Sequence, residues 1–276
     1  MPTTLSEQKA FHQPRAHGAV KISVKAGERG TTLAALRQSG SLRALFPRIA
    51  GPDIQSVLIN TAGGITGGDT FSLKAHAKPE TRLTLSTQTA ERAYRAQPGE
   101  TGLLKNQLLI DSGAQVNWLP QETILYQGSA LSRSLHVEIG QGASFLMVEP
   151  LVFGRKAMGE ILTDASFTDR IEIHREGRLQ YVDAVKLTGN ITAQLARPHT
   201  ANGAGAMASL VYSSADAESW LAPIRAKLGN GGGVSLINDQ LLVLRLLAPD
   251  SYLLRQTLIP ILNLITNDNL PRCWMT

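Results

Sequence analysis

Leu135-His136-Val137-Glu138-Ile139-Gly140-Gln141-Gly142 alternates apolar and polar side chains over five positions and then breaks on two glycines. Successive side chains of a strand point to opposite faces. The pattern therefore buries Leu135, Val137 and Ile139 on one side and sets His136 and Glu138 together on the other. The same grammar recurs on both flanks. Val57-Leu58-Ile59, Leu83-Thr84-Leu85 and Leu108-Leu109-Ile110 lie upstream, and Ile171-Glu172-Ile173 lies downstream. Between them stand Ala62-Gly63-Gly64, Gly67-Gly68-Asp69, Pro98-Gly99 and Asp111-Ser112-Gly113. Short apolar or alternating runs punctuated by Gly, Pro, Asn and Asp read as strands joined by tight turns. Strands recurring about every 8–14 residues imply a sandwich, a barrel or a layered helix of strands. No sequence repeat of constant period is visible, so a regular solenoid is not expected.

The last third has a different pattern. Between Asp216 and Leu228, Trp220, Leu221, Ile224 and Leu228 fall on one helix face. Ser213 or Ser214 is positioned to cap that helix and Gly229 to end it, while Pro223 suits a first turn. Residues 229–233 read as a flexible turn, and Leu236-Ile237 and residues 241–247 as strands. Residues 252–266 have helical spacing, with Pro260 predicting a kink or break. The expectation is a mainly β chain with about two α-helices towards the C-terminus. Residues 1–14 are expected to be flexible, and residues 15–276 to form one domain.

At 43% hydrophobic and 18% charged, the chain is too apolar for disorder. The net charge of +5 is spread thinly, without the basic stripe and interleaved aromatics of a nucleic-acid binder. Cys273 is the single cysteine, which rules out an intramolecular disulfide or a Cys-based cluster and suits a reducing compartment. No stretch near Met1 to Gln13 reads as a signal peptide, and no apolar run approaches a membrane span. A cytoplasmic location is therefore expected.

Several constellations carry possible chemistry. The segment Asn60-Thr61-Ala62-Gly63-Gly64-Ile65-Thr66-Gly67-Gly68-Asp69 holds four glycines in six residues. It lacks the Lys-Ser/Thr and following helix of a phosphate loop, and reads as a strand–turn–strand crossing. Asp69 within it must be hydrogen-bonded or face a polar cavity. Ser86-Thr87-Gln88-Thr89-Ala90-Glu91-Arg92-Ala93-Tyr94-Arg95 reads as a polar loop or strand end, with a binding edge as the alternative. Glu122, Glu149 and Glu160 are possible general acids and bases, but a hydrolase needs a substrate platform, and aromatics make up only 5% of the chain. The six histidines include no pair at metal-binding spacing. His136 with Glu138, and Glu172 with His174, each share a strand face and offer part of a transition-metal site, although solvent-facing alternation explains either pair alone. Cys273 reads as a packed small hydrophobe.

Taken in order, seven segments resemble the urease accessory proteins of the UreD (UreH) type. They are residues 32–40 (Thr-Leu-Ala-Ala-Leu-Arg-Gln-Ser-Gly), Phe46-Pro47-Arg48, the glycine segment ending at Asp69, residues 87–95, Leu119-Pro120-Gln121-Glu122-Thr123-Ile124, residues 154–160 and Pro271-Arg272-Cys273-Trp274. Each is weak alone, and the ordered set is specific. Cys273 departs from the larger apolar residue expected in the closing motif.

The resemblance implies a helical stack of β-strands in layered sheets, with no catalytic activity of its own. It also implies a complex with an all-helical accessory protein (UreF type) and a nickel-binding GTPase (UreG type), contact with apo-urease, and passage of Ni²⁺ through the interior. No metal would be bound permanently; Ni²⁺ would be transient. Asp69, Glu149, Glu160 and Asp183 are the expected transient ligands, with Arg155 as their charge partner. Trp220, Leu221, Ile224 and the 252–266 stripe are the expected docking surface for the helical partner. The rival readings are a β-helical hydrolase using paired carboxylates and a plain β binding module.

Overall fold

The computed structural model describes residues 13–275, so most of the segment expected to be flexible, 1–12, lies outside the described residues. The chain begins with β1 (His17–Gly27), β2 (Gly30–Gly40), β3 (Leu42–Leu45), β4 (Ile54–Asn60), β5 (Thr70–Ala77) and β6 (Arg82–Thr87). There follow β7 (Glu91–Ala93), β8 (Gly102–Ile110), β9 (Gln115–Leu119), β10 (Thr123–Leu125), β11 (Ala130–Ile139) and β12 (Ser144–Phe153). Next come β13 (Ala165–Arg175), β14 (Arg178–Gly189), α1 (Ile191–Leu195) and β15 (Ala206–Ser213). The chain closes with α2 (Leu221–Leu228), β16 (Gly232–Asn238), β17 (Leu241–Ala248) and α3 (Ser251–Thr266).

These strands form two layered sheets. One runs β14-β13-β11-β8-β5-β1-β2, and the other runs β16-β17-β15-β12-β9-β6-β4-β3, with β10 and β7 attached through β12. The inner strands β1, β5, β8, β11 and β13 are parallel, because the chain crosses to the second sheet between each pair and returns. The second sheet is built the same way at β4, β6, β9 and β12. The antiparallel hairpins β1–β2 and β13–β14 finish the first stack at either end. The expected helical stack of layered strands is what the chain forms.

Its irregularity explains why no repeat shows in the sequence. Thr70, Leu103, Ser132 and Thr168 are successive partners up the stack, yet they lie 33, 29 and 36 residues apart. Coils of unequal length leave a common strand register without a fixed period.

The two sheets differ in what covers them. Strand β11 alternates half-buried and buried positions throughout, so its outer face meets solvent. Strand β12 is buried at nine consecutive positions, because one face packs on the first sheet and the other on the helices. The inter-sheet core includes Leu73, Leu85, Phe145 and Phe167. A second core joins Val148, Leu210 and Leu244 of the second sheet to Ile224 of α2 and to Leu258 and Leu262 of α3.

Several local expectations change. Neither Ser213 nor Ser214 caps the helix; Asp216 organises the turn instead. Its Oδ1 accepts from the Tyr212 and Ser214 hydroxyls and its Oδ2 from the Trp220 indole N–H. Pro223 does sit in the first turn of α2, and Gly229 follows its end at φ 58°. Gly232 and Gly233 belong to β16 rather than to a loose turn. Pro260 does not interrupt α3, whose start is capped by Asp250 Oδ1 accepting from Leu253 N–H at 2.9 Å. A third, five-residue helix, α1, was not expected; Asn190 caps it through Ala193 N–H.

The expected docking stripe is also corrected. Ile224, Leu228, Leu254, Leu258, Ile261, Leu262 and Ile265 are buried on the chain's own sheet. An amphipathic helix finds its nearest apolar surface first, and here that surface is intramolecular. Deleting residues 250–276 would therefore strip a core rather than a contact.

The closing motif locks this layer. Trp274 is fully buried, and its indole N–H donates to the Leu119 carbonyl at 2.9 Å. The Arg255 guanidinium lies over the ring and donates to the Trp274 carbonyl at 2.8 Å. Cys273 is half-buried against the same core, its Sγ 3.2 Å from Ser86 Oγ. Replacing Trp274 with Ala is expected to cost about 3–5 kcal/mol, the usual loss for a buried large aromatic. Chemical denaturation monitored by circular dichroism measures this. A loss within the range of surface substitutions would mean that the terminus does not hold the helical layer.

Candidate functional site

A charged residue in the inward phase of an alternating strand must find partners in the core. Arg133 is such a residue. It occupies the same face of β11 as Leu131, Leu135 and Val137 and is 5% exposed. From β13, Asp169 accepts from Arg133 Nε at 3.1 Å and from its Nη2 at 2.6 Å, a bidentate pair. From β12 in the opposite sheet, Glu149, 2% exposed, pairs with Arg133 Nη1. Glu149 also accepts from the Trp118 indole at 2.7 Å. Thr123 accepts a further contact from Arg133 at 3.3 Å.

The cluster therefore sets two carboxylates against one guanidinium inside the protein. Burial pushes the Glu149 carboxyl above its ordinary range; Arg133 opposes that push, and the second carboxylate, Asp169, adds to it. Burial disfavours the Arg133 charge, but Asp169 and Glu149 outweigh it and raise its pKa further. Arg133 stays cationic, and the cluster as a whole favours additional positive charge.

A cavity of about 130 Å³ ends on this cluster. Arg133, Glu149, Trp118 and Asn106 line its inner end, and residues 87–92 with Gln121 line its outer part. Asn60 and Gly63 of the glycine segment complete the wall there. Asn60 Nδ2 donates to the Gly64 carbonyl at 2.8 Å and to both oxygens of Glu91 at 3.2 Å. Burial raises the Glu91 carboxyl above its usual range, and the Asn60 hydrogen bond offsets part of the rise. Gly64, at φ +157°, is required by fit: a Cβ there would lie 2.2 Å from the Tyr94 ring.

The C-terminal layer steadies the same opening. Arg255 of α3 donates to Gln121 Oε1 and Glu122 Oε1, each at 3.0 Å. Gln121 N–H in turn bonds Thr87 Oγ1 at 2.9 Å, and Glu91 N–H bonds the Glu122 carbonyl at 2.8 Å.

The expected site residues do not converge. Glu149 lines the cavity. Asp69 is buried but fully employed by backbone, accepting from Ala16 N–H at 2.7 Å and Thr66 N–H at 2.8 Å. It ties the start of β1 to the glycine segment, the hydrogen-bonded alternative of its two expected environments. Glu160 pairs with Arg155, and its two oxygens also accept from the Gln127 and Arg155 N–H groups. Asp183 pairs with Arg245 at 2.5 Å. Asp69, Glu160 and Asp183 are not among the residues lining the cavity.

The same geometry disfavours paired-carboxylate hydrolysis. Glu122, Glu149 and Glu160 are bonded to three different arginines, and only Glu149 faces the cavity.

Arg133, Asp169, Asn106 and Glu91 escaped the sequence reading as site residues. Arg133, Asn106 and Asp169 carry a legible signal all the same, since each occupies the apolar phase of its strand.

The family model described as UreD urease accessory protein matches residues 16–275. The urease accessory protein UreD of Ruegeria pomeroyi is 58% identical over 239 residues, covering 87% of this chain and 93% of its own length. That of Roseobacter denitrificans is 50% identical over 262 residues, covering 95% and 96%. That of Xanthobacter autotrophicus is 39% identical over 278 residues, covering 100% and 95%.

The Arg155–Glu160 loop yields a pH test. The Arg155 hydrogen bonds hold the Glu160 carboxyl down at about 2, against 4.5 for the free side chain. A depressed folded pKa contributes stability above the unfolded value and loses it as pH falls from about 4.5 towards about 2. Solvent screens this loop pair, so the contribution is about 1 kcal/mol. Glu160→Gln is expected to lower stability by that amount near neutrality, with the gap to the natural protein narrowing below pH ~4.5. Denaturant titrations across pH measure it, and a gap independent of pH would remove the ion pair from the account.

Proposed function

Because this chain belongs to the UreD urease accessory protein family, we propose that it serves urease maturation as a non-catalytic scaffold that passes Ni²⁺ to apo-urease. The observation that carries this reading is the cavity ending on Glu149 and Arg133, with Asp169 holding the same guanidinium from behind. Such a cluster favours an added cation, because two carboxylates face a single guanidinium in a low-dielectric interior. Glu91 in the outer part and Glu149 at the inner end give the ion oxygen ligands along its route. The residues lining the cavity include no histidine or cysteine, so nickel would be held by weaker oxygen donors and released again. About 130 Å³ accommodates an ion with part of its water shell.

In this reading Glu149 is the transit ligand. Asp69, Glu160 and Asp183, with Arg155, act on the ion indirectly by fixing the walls and loops around its route. The partners are the UreF-type helical protein, the UreG-type GTPase and apo-urease, in the cytoplasm. With the apolar stripe of α3 buried, Tyr252 at 68% exposure and Leu253 at 40% are what that helix offers a partner.

Two substitutions test the route. Glu149→Gln keeps shape and leaves the Arg133–Asp169 pair; Glu91→Gln does the same in the outer part of the cavity. Each is expected to lower the nickel content of urease several-fold in nickel-limited cells while leaving accessory complexes assembled. Metal analysis of purified urease decides, and full nickel content with both variants would eliminate the cavity as the path. Separately, Tyr252→Ala with Leu253→Ala should weaken pull-down of the helical partner without changing the thermal transition. Undiminished pull-down would move that contact elsewhere.

A further inference from the structure

The outer face of the first sheet carries a second group of polar side chains, remote in chemistry from the buried cavity. Parallel pairing of β11 with β13 sets His136 opposite Glu172 and Glu138 opposite His174. Two pairs that look like ordinary alternation in sequence are thereby joined into one square of two imidazoles and two carboxylates. His136 Nε2 lies 3.0 Å from Glu138 Oε1, and His136 Nδ1 lies 3.6 Å from Glu172 Oε2. His174 Nδ1 lies 3.9 Å from Glu138 Oε1, and the two imidazole centroids are 5.0 Å apart. Ligand atoms of His136, Glu172 and His174 all fall within 4.8 Å of one another.

From these distances we propose that His136, Glu172 and His174 form a surface site for a borderline first-row divalent cation, such as Ni²⁺ or Zn²⁺, with Glu138 on the far nitrogen of His136.

Three features support it. First, bonds of about 2.1 Å to nitrogen and oxygen place neighbouring ligand atoms roughly 3–3.5 Å apart, and the three ligand atoms, all within 4.8 Å of one another, need only a small inward shift to reach that spacing. Second, the ligands stand at i and i+2 on two adjacent strands whose register is held by a full backbone ladder. The frame is therefore assembled before an ion arrives. Third, Glu172 is oriented from behind. Arg170 bonds its Oε1, which leaves Oε2 towards His136. An outer-shell partner of that kind fixes the orientation of the ligand.

The donor set selects the ion class. Two imidazoles favour nickel, zinc or copper over magnesium and calcium, which prefer all-oxygen shells. The flanking side chains Leu109, Leu179 and Val182 are exposed and apolar, so competing polar groups are few on those sides. All three ligands are partly exposed, which permits exchange with solvent or with a partner.

This site does not depend on the urease reading, and its test is a direct binding measurement. Titration of the full chain with Ni²⁺ and with Zn²⁺ is expected to show one saturable equivalent, unaffected by excess Mg²⁺. His136→Ala with His174→Ala should weaken it at least about ten-fold. Glu172→Gln, which preserves volume, should weaken it less. Co²⁺ should give a ligand-field spectrum that the double histidine variant loses. Glu149→Gln should leave this equivalent intact, which separates it from any ion in the cavity. Binding of equal affinity and stoichiometry in the double variant overturns the site, as does an absence of saturable binding by the natural chain. Because these side chains lie outside both cores, the variants should keep the natural thermal transition.

Discussion

The interior of this protein is organised around one guanidinium that cannot leave its charge behind. Arg133 reaches from the first sheet to Glu149 on the second while Asp169 holds it from the neighbouring strand. That contact ties three strands, β11, β12 and β13, together across both layers. It also interrupts what would otherwise be continuous apolar packing, and the cavity lies where the packing is interrupted. Burying charge at this cost is common where a protein needs a polar interior for a task rather than for stability.

The architecture explains how such an interior is reached. Each coil passes from one sheet to the other, so the connecting segments gather at the edges of the stack. The glycine segment after β4 and residues 87–92 after β6 meet there with the 120–122 segment. The last helix then braces this opening through Arg255, while Trp274 buries the chain's end beneath it. The Pro271–Trp274 segment and the polar loop segments, far apart in sequence, thus serve one region of the molecule.

Strand character was legible in the sequence because alternation survives wherever one face meets solvent, as in β11 and β13. It fades where strands are covered on both faces, as in β12, and unequal coil lengths hide the repeat. Among the acidic residues, sequence alone did not separate Asp69 from Glu149. Both are buried, but one is absorbed by backbone N–H groups and the other faces a cavity, a difference that depends on distant strands. Arg133 is readable from its phase, since it takes an inward position of β11. The pairing of His136 with Glu172 was not readable, since strand neighbours 36 residues apart are set by the fold.

The central claim is that Ni²⁺ enters the cavity and rests beside Glu149 on its way to urease. Anomalous X-ray scattering at the nickel edge, from crystals of the protein soaked in millimolar Ni²⁺, tests it most directly. The account predicts a nickel peak between Glu91 and Glu149 that disappears when Glu149 is replaced by Gln. A cavity that holds only water under those conditions would contradict it.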